Sequence, residues 1–191
     1  MQHDVTIITV RPGKHPAALE RLQQAPFATN LLACWYSELG ALNQILLIGD
    51  VPASALTSSD PLGIGEFITG ITADRYVSFD FMPPIEPGAF GPVYEVRTYM
   101  LRTGGLPRTI ELWRKTVPGR LPLSPLLAAM YSVTGQMIRF MHIWPYPSLD
   151  ERQRIRGKAV ADGVWPPPGG PDELVTQQAD IYLPASFSPL R

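Results

Sequence analysis

Cysteine, histidine and charge are all scarce in this chain. A lone Cys34 among 191 residues excludes an intrachain disulfide and fits a reducing compartment. It sits in the apolar run 32–36, so it reads as a buried thiol and not as a nucleophile. The three histidines, His3, His15 and His142, fall on different segments and leave no metal-ligand spacing. No run approaches the roughly 18 apolar residues of a membrane-spanning helix. The opening Met1-Gln2-His3-Asp4-Val5 lacks the basic-then-apolar order of a secretory signal, so a cytoplasmic chain is expected. A phosphate loop and a nucleophile elbow are both missing, and the glycines of 63–70 follow no strand and do not fit a dinucleotide fingerprint. Nothing in the residues asks for a cofactor.

Charge is thin but unevenly spread. Residues 1–90 hold four Lys/Arg against nine Asp/Glu, whereas residues 91–191 hold twelve against eight. An acidic half joined to a basic half suggests attraction between halves or subunits. With neither stacking aromatics nor a basic recognition helix, no nucleic-acid partner is expected. Proline is plentiful, at 21 residues, but it falls between periodic segments and marks turns, not a disordered tract.

What the chain does have is a repeat. Leu31-Leu32-Ala33-Cys34-Trp35-Tyr36-Ser37-Glu38-Leu39-Gly40 reads again as Leu126-Leu127-Ala128-Ala129-Met130-Tyr131-Ser132-Val133-Thr134-Gly135, 95 residues on. That spacing is too long for a solenoid unit and is the size of a small domain.

The second copy reads most clearly. Residues 94–101 alternate as a strand, and Gly104-Gly105 ends it. Leu106, Ile110, Trp113 and Val117 then recur on one face of a helix, which Pro118 is expected to kink or end. Residues 126–134 and 137–144 form a hairpin about Gly135. Ser148, with Glu151 three residues later, opens a second helix. Its Arg152, Arg154, Arg156 and Lys158 read as a solvated face. Residues 165–171 can only be a loop, and 179–183 close the unit. The order is βαββαβ, the ferredoxin-like split unit. The first copy follows it with strands at 5–10, 31–39, 42–48 and 75–81, a helix at 16–24, and turn chemistry around Ser58-Ser59-Asp60-Pro61 in place of a good second helix.

Several segments resemble NIPSNAP domains: Tyr94-Glu95-Val96-Arg97-Thr98-Tyr99, the stretch from His142 through Pro145-Tyr146-Pro147 to Arg152, the tail Leu183-Pro184-Ala185-Ser186-Phe187-Ser188-Pro189-Leu190, and the turn Gly40-Ala41-Leu42-Asn43-Gln44. Each copy keeps half of the family's hairpin signature. The resemblance spans most of 4–60 and 93–191. It implies the dimeric α+β barrel superfamily, which holds cofactor-free monooxygenases, isomerases, haem enzymes and non-enzymatic members. The expected architecture is α+β, two tandem ferredoxin-like units with antiparallel sheets packed as an α+β barrel. Residues 1–84 would be the N-terminal repeat with a degenerate second helix, 85–92 a Pro/Gly linker and 93–191 the C-terminal repeat.

Strand alternation groups the candidate site residues. Val96, Thr98 and Met100 are expected to face the helices, leaving Glu95, Arg97 and Tyr99 on an open sheet face. Ile138, Phe140, His142 and Trp144 share one face of the return strand. Joined in one apolar bowl, these groups have the form of a small-ligand pocket. His142 and Arg97 are the catalytic candidates, the first moving a proton and the second holding a carboxylate or enolate oxygen. Glu95, Tyr99, Phe140 and Trp144 are the ligand-binding candidates. The plainer reading is cross-strand charge pairing and a satisfied interface imidazole. Tyr36 and Tyr131 are expected to pack the sheets. Two functions stay open: a binding or non-catalytic protein for a small hydrophobic or anionic molecule, or a cofactor-independent enzyme of monooxygenase or isomerase type acting on a small hydrophobic carbonyl or enolisable compound. The apolar face carrying Ile8, Val10, Phe140 and Trp144 needs cover from the other half or a second subunit, and a homodimer is expected.

Overall fold

Eight strands and four helices make up the chain, described for all residues 1–191 by a computed structural model. In order they are β1 (Gln2–Val10), α1 (His15–Gln23), β2 (Leu31–Leu39), β3 (Gln44–Gly49), α2 (Ala53–Thr57), β4 (Ile68–Ser78), β5 (Val93–Leu101), α3 (Leu106–Arg120), β6 (Ala128–Ser132), β7 (Arg139–Tyr146), α4 (Leu149–Ala161) and β8 (Leu174–Pro184). The strands close a wholly antiparallel barrel in the order β1-β3-β2-β8-β5-β7-β6-β4. Each half contributes four strands in the ferredoxin-like order, and the seams are β2 against β8 and β4 against β6. Two halves thus make one closed sheet, and closure removes the edges that would otherwise seek a partner.

The two hairpins match in detail. Ser37 Oγ accepts the Gln44 amide at 3.0 Å, and Ser132 Oγ accepts the Arg139 amide at 3.0 Å, each pair displaced by the 95-residue register. Gly135 (φ +65°) turns the second hairpin where a Cβ would overlap Asp74 Oδ1, so only glycine fits without strain.

The interior of the barrel is a single apolar core with residues from every strand, among them Val5, Trp35, Leu46, Tyr76, Val96, Met130, Ile143 and Tyr182. Trp35 stacks on Tyr94 with centroids 4.1 Å apart, joining β2 of one half to β5 of the other. The tail seals one end. Its Leu190 is fully buried and takes the Trp35 indole N–H on its carbonyl at 2.9 Å, while Ser188 Oγ accepts the Cys34 amide at 3.1 Å. Helices lie outside the barrel. Cys34 packs with Ile8, Val10, Leu22 and Leu47 beneath α1, and burial pushes its thiol up to about 12.

Three expectations need correction. The faces of β5 are reversed: Tyr94 and Val96 fill the barrel, and Glu95, Arg97 and Tyr99 turn outward toward the helices. Alternation says which residues share a face but not which face points inward. The apolar residues took the lumen, and Glu95 went where the helical Arg152 and Arg156 could meet it. Accordingly Ile8, Val10, Phe140 and Trp144 lie beneath the helices, and the other face is covered within one chain, so barrel closure asks for no second subunit. Finally, α3 runs two residues past Pro118 to Arg120. The second helix of the first half is reduced to the five residues of α2, as its turn chemistry foretold.

Candidate functional site

On the outer face of the second half, three cross-strand pairs stand in direct register: Glu95 with Trp144, Arg97 with His142, and Tyr99 with Phe140. All six sequence candidates therefore do share one face. They do not share one role. Arg97, Tyr99 and Phe140 line a cavity of about 210 Å³ between the sheet, α3, α4 and the 165–171 loop. Glu95, His142 and Trp144 lie buried beside it and do not line it.

The cavity walls are aromatic. Trp113 comes from the inward face of α3 and meets Phe140 edge-on at 4.6 Å and Trp165 at 4.8 Å. The proline-rich loop adds Trp165 and Pro167 to the lining. Trp113 was legible in the sequence only as a helix-core residue, and Trp165 only as part of a loop.

His142 is 1% exposed, with Tyr99, Trp113 and Phe140 rings at 4.9, 4.6 and 5.0 Å. Burial first, and then the charges of Arg97 and Arg156, hold its pKa well below 6.5, so the ring is neutral. Trp144 Nε1 donates to His142 Nδ1 at 2.7 Å. Indole is only a donor, so Nδ1 holds the lone pair and Nε2 carries the proton. That Nε2 has no partner.

Glu95 is fully buried and gathers arginines. Arg152 Nη2 donates to its Oε1 at 2.6 Å, Arg97 Nε lies 3.3 Å from Oε1, and Arg156 Nη1 lies 3.5 Å from Oε2. Only the first contact is aligned as a hydrogen bond, which leaves Glu95 Oε2, Arg97 Nε and Arg152 Nε buried without hydrogen-bond partners. Arg120, also buried, caps the Trp144 ring at 4.7 Å and donates to Ser124 Oγ at 2.9 Å.

Arg152 and Arg156 correct the reading of α4 as a solvated face. Arg154 and Lys158 do point outward to Glu151 and Asp162, but Arg152 and Arg156 turn inward. Their i,i+4 spacing around buried Ile155, with Ala159 beyond, was the available signal. Ser148 caps this helix as expected, accepting the Glu151 amide at 3.1 Å.

Two other concavities differ in kind. The barrel mouth, about 270 Å³, is lined by polar groups that satisfy one another: Tyr182 donates to Gln44 at 2.7 Å, and Gln178 to Asp180 at 2.9 Å. A groove of about 560 Å³ beside α2 is lined by the exposed residues Arg21, Asn30 and Asp60, and Asp60 is engaged by the Gly65 amide.

The NIPSNAP family model matches residues 94–189, half of the chain and the half that bears this cavity. The chain belongs to the NIPSNAP family. The NipSnap protein of Drosophila melanogaster is 23% identical over 198 residues, covering 92% of this chain and 70% of that protein. NipSnap homolog 2 of Homo sapiens is 26% identical over 123 residues, covering 60% of this chain and 41% of that protein. The second relative is thus spanned over less than half its length. Among solved structures, an anthrone oxidase-like protein aligns over 96% of this chain and 91% of its own, with a TM-score of 0.64 and 9% identity. A candidate monooxygenase of Lactobacillus acidophilus aligns over 95% and 92%, with a TM-score of 0.62 and 7% identity. Identities that low establish a common fold for this NIPSNAP member and nothing further. No helix is long and apolar enough to cross a membrane.

Proposed function

We propose that this NIPSNAP protein binds a small, largely aromatic molecule in the cavity between the C-terminal sheet and its helices. The observation that carries the reading is the wall of Tyr99, Trp113, Phe140 and Trp165 around a part-open cavity, with Arg97 and Arg156 as polar lining. An apolar pocket with a few convergent polar groups is the usual form of a small-ligand site. Within it, Arg97, Tyr99 and Phe140 contact the ligand, and Glu95, His142 and Trp144 hold the layer beneath. The halves 1–84 and 93–191, joined by 85–92, act as duplicated units of which only the second carries the site.

Saturation-transfer NMR with mono- and bicyclic aromatic compounds, charged and neutral, tests this. Transfer is expected in the native protein and should vanish in Val160→Phe, which sets a ring at the cavity rim from an exposed position on α4. Transfer that is absent, or unaffected by the plug, contradicts the reading.

A second reading, a cofactor-independent enzyme on an enolisable compound, draws on the unpartnered Nε2–H of His142 and on the monooxygenase-type proteins that share the fold. His142 would then be a neutral hydrogen-bond donor to the carbonyl oxygen and not the base, since Trp144 already uses its lone pair, and solvent water would take the carbon-bound proton. Solvent deuterium entering the carbon beside a bound carbonyl would support it; binding without exchange would leave only the first reading.

A further inference from the structure

We infer that the ligand of this cavity is an aromatic carboxylate, its anion seated against Arg97 and Arg156 and its ring body among Trp113, Phe140 and Trp165. The inference rests on the pocket reading above and adds the chemical class.

Charge count carries it. Around Glu95 stand Arg97, Arg152 and Arg156, with Arg120 over the adjoining Trp144 ring. Guanidinium groups keep their charge in proteins, so one buried carboxylate faces four cations. The loop end of the same cavity holds a second buried carboxylate, whose two arginine partners are both more than half exposed. Glu173 is fully buried and paired with Arg102 at 2.8 Å and Arg108 at 3.2 Å, next to the cavity residues Gly170 and Pro171. Arg120 is buried, and Arg97, Arg152 and Arg156 are only 17%, 26% and 33% exposed, so water screens the excess incompletely and a counter-ion in the cavity is favoured. Of the acidic residues at α4, Asp150 is exposed in the first turn, Glu151 pairs with Arg154, and Asp162, just past the helix end, pairs with Lys158, so the excess stays in place.

Geometry narrows the class. Arg97 is half of the excess that reaches the cavity, and its Nε lies 3.3 Å from Glu95 Oε1 without a hydrogen bond to it. Arg156 is the other half, within ion-pair distance of Glu95 but not hydrogen-bonded to it. A planar carboxylate suits a guanidinium fork. A bare inorganic anion would satisfy the arginines and leave the indole and phenyl walls facing empty space. A neutral aromatic would fill the walls and leave the charge uncompensated. An aromatic carboxylate does both.

The test compares 2-naphthoate, 2-naphthamide and inorganic phosphate by isothermal titration calorimetry on the full chain. Naphthoate should bind at least about tenfold more tightly than naphthamide, with phosphate weaker still, and its affinity should fall as salt rises. Arg156→Gln, on the partly exposed face of α4, should remove most of that preference, weakening naphthoate more than naphthamide. A circular dichroism spectrum and melting curve like the parent's confirm that this variant is folded. If naphthoate and naphthamide bind equally, the anionic class is wrong and the aromatic pocket stands. If phosphate matches naphthoate, the aromatic body is wrong. If none of the three binds, both this inference and the pocket reading fall.

Discussion

The indole N–H of Trp144 donates to Nδ1 of His142 at 2.7 Å, and this bond fixes which imidazole nitrogen carries the proton. The ring is left neutral, facing the layer between sheet and helices, with Arg97 and Arg156 as the nearby charges that oppose its protonation.

That arrangement sets a direction for acid stability. The folded pKa of His142 is depressed, so below about 6.5 the unfolded chain binds a proton that the folded chain refuses. Its contribution is therefore present above 6.5 and lost as pH falls toward the folded value. His3, lowered by burial and by the N-terminal amine, acts in the same sense. Urea unfolding between pH 7.5 and 5 should show falling stability, and His142→Phe should flatten the slope while lowering stability at pH 7.5 by about 1–2 kcal/mol for the orphaned Trp144 donor. A slope unchanged by the substitution would contradict the assignment.

Glu95 and Glu151 offer a matched contrast. Glu95→Gln leaves part-buried guanidinium groups without their shared carboxylate and should cost about 1.5–3 kcal/mol. Glu151→Gln breaks only an exposed pair with Arg154 and should leave stability nearly unchanged. Chemical denaturation of the two variants side by side decides this; equal effects would mean that the buried cluster is not what holds α4 to the sheet.

Much of the fold was legible because its signals are local. The alternation of 94–101 and the Ser148 cap rest on neighbouring residues, the 95-residue register on matching two short runs, and they appear as β5, the start of α4 and the matched Ser37 and Ser132 bonds. The site was half legible for the same reason. Alternation grouped Glu95 with Arg97 and Tyr99, and His142 with Phe140 and Trp144, but it is blind to which side the barrel closes on. That choice depends on the other half of the chain, through contacts such as Trp35 on Tyr94. Arg152 and Arg156 escaped because a helix as polar as α4 shows no apolar stripe strong enough to mark its inner face.

Cys34 supplies a probe of the N-terminal layer. A thiol raised to about 12 and wholly buried should resist an aromatic disulfide reagent at pH 8. Reaction should appear only across the urea transition. Fast labelling of the native protein would mean that the layer beneath α1 opens readily.

The most direct test of the pocket is the indole region of an amide-type ¹H–¹⁵N spectrum during titration with 2-naphthoate. Trp113 and Trp165 wall the cavity, whereas Trp35 lies inside the barrel with its N–H bonded to the Leu190 carbonyl. The Nε1–H signals of Trp113 and Trp165 should shift and that of Trp35 should stay in place. A shift of Trp35 with the other two unmoved would put the ligand in the barrel and contradict the account.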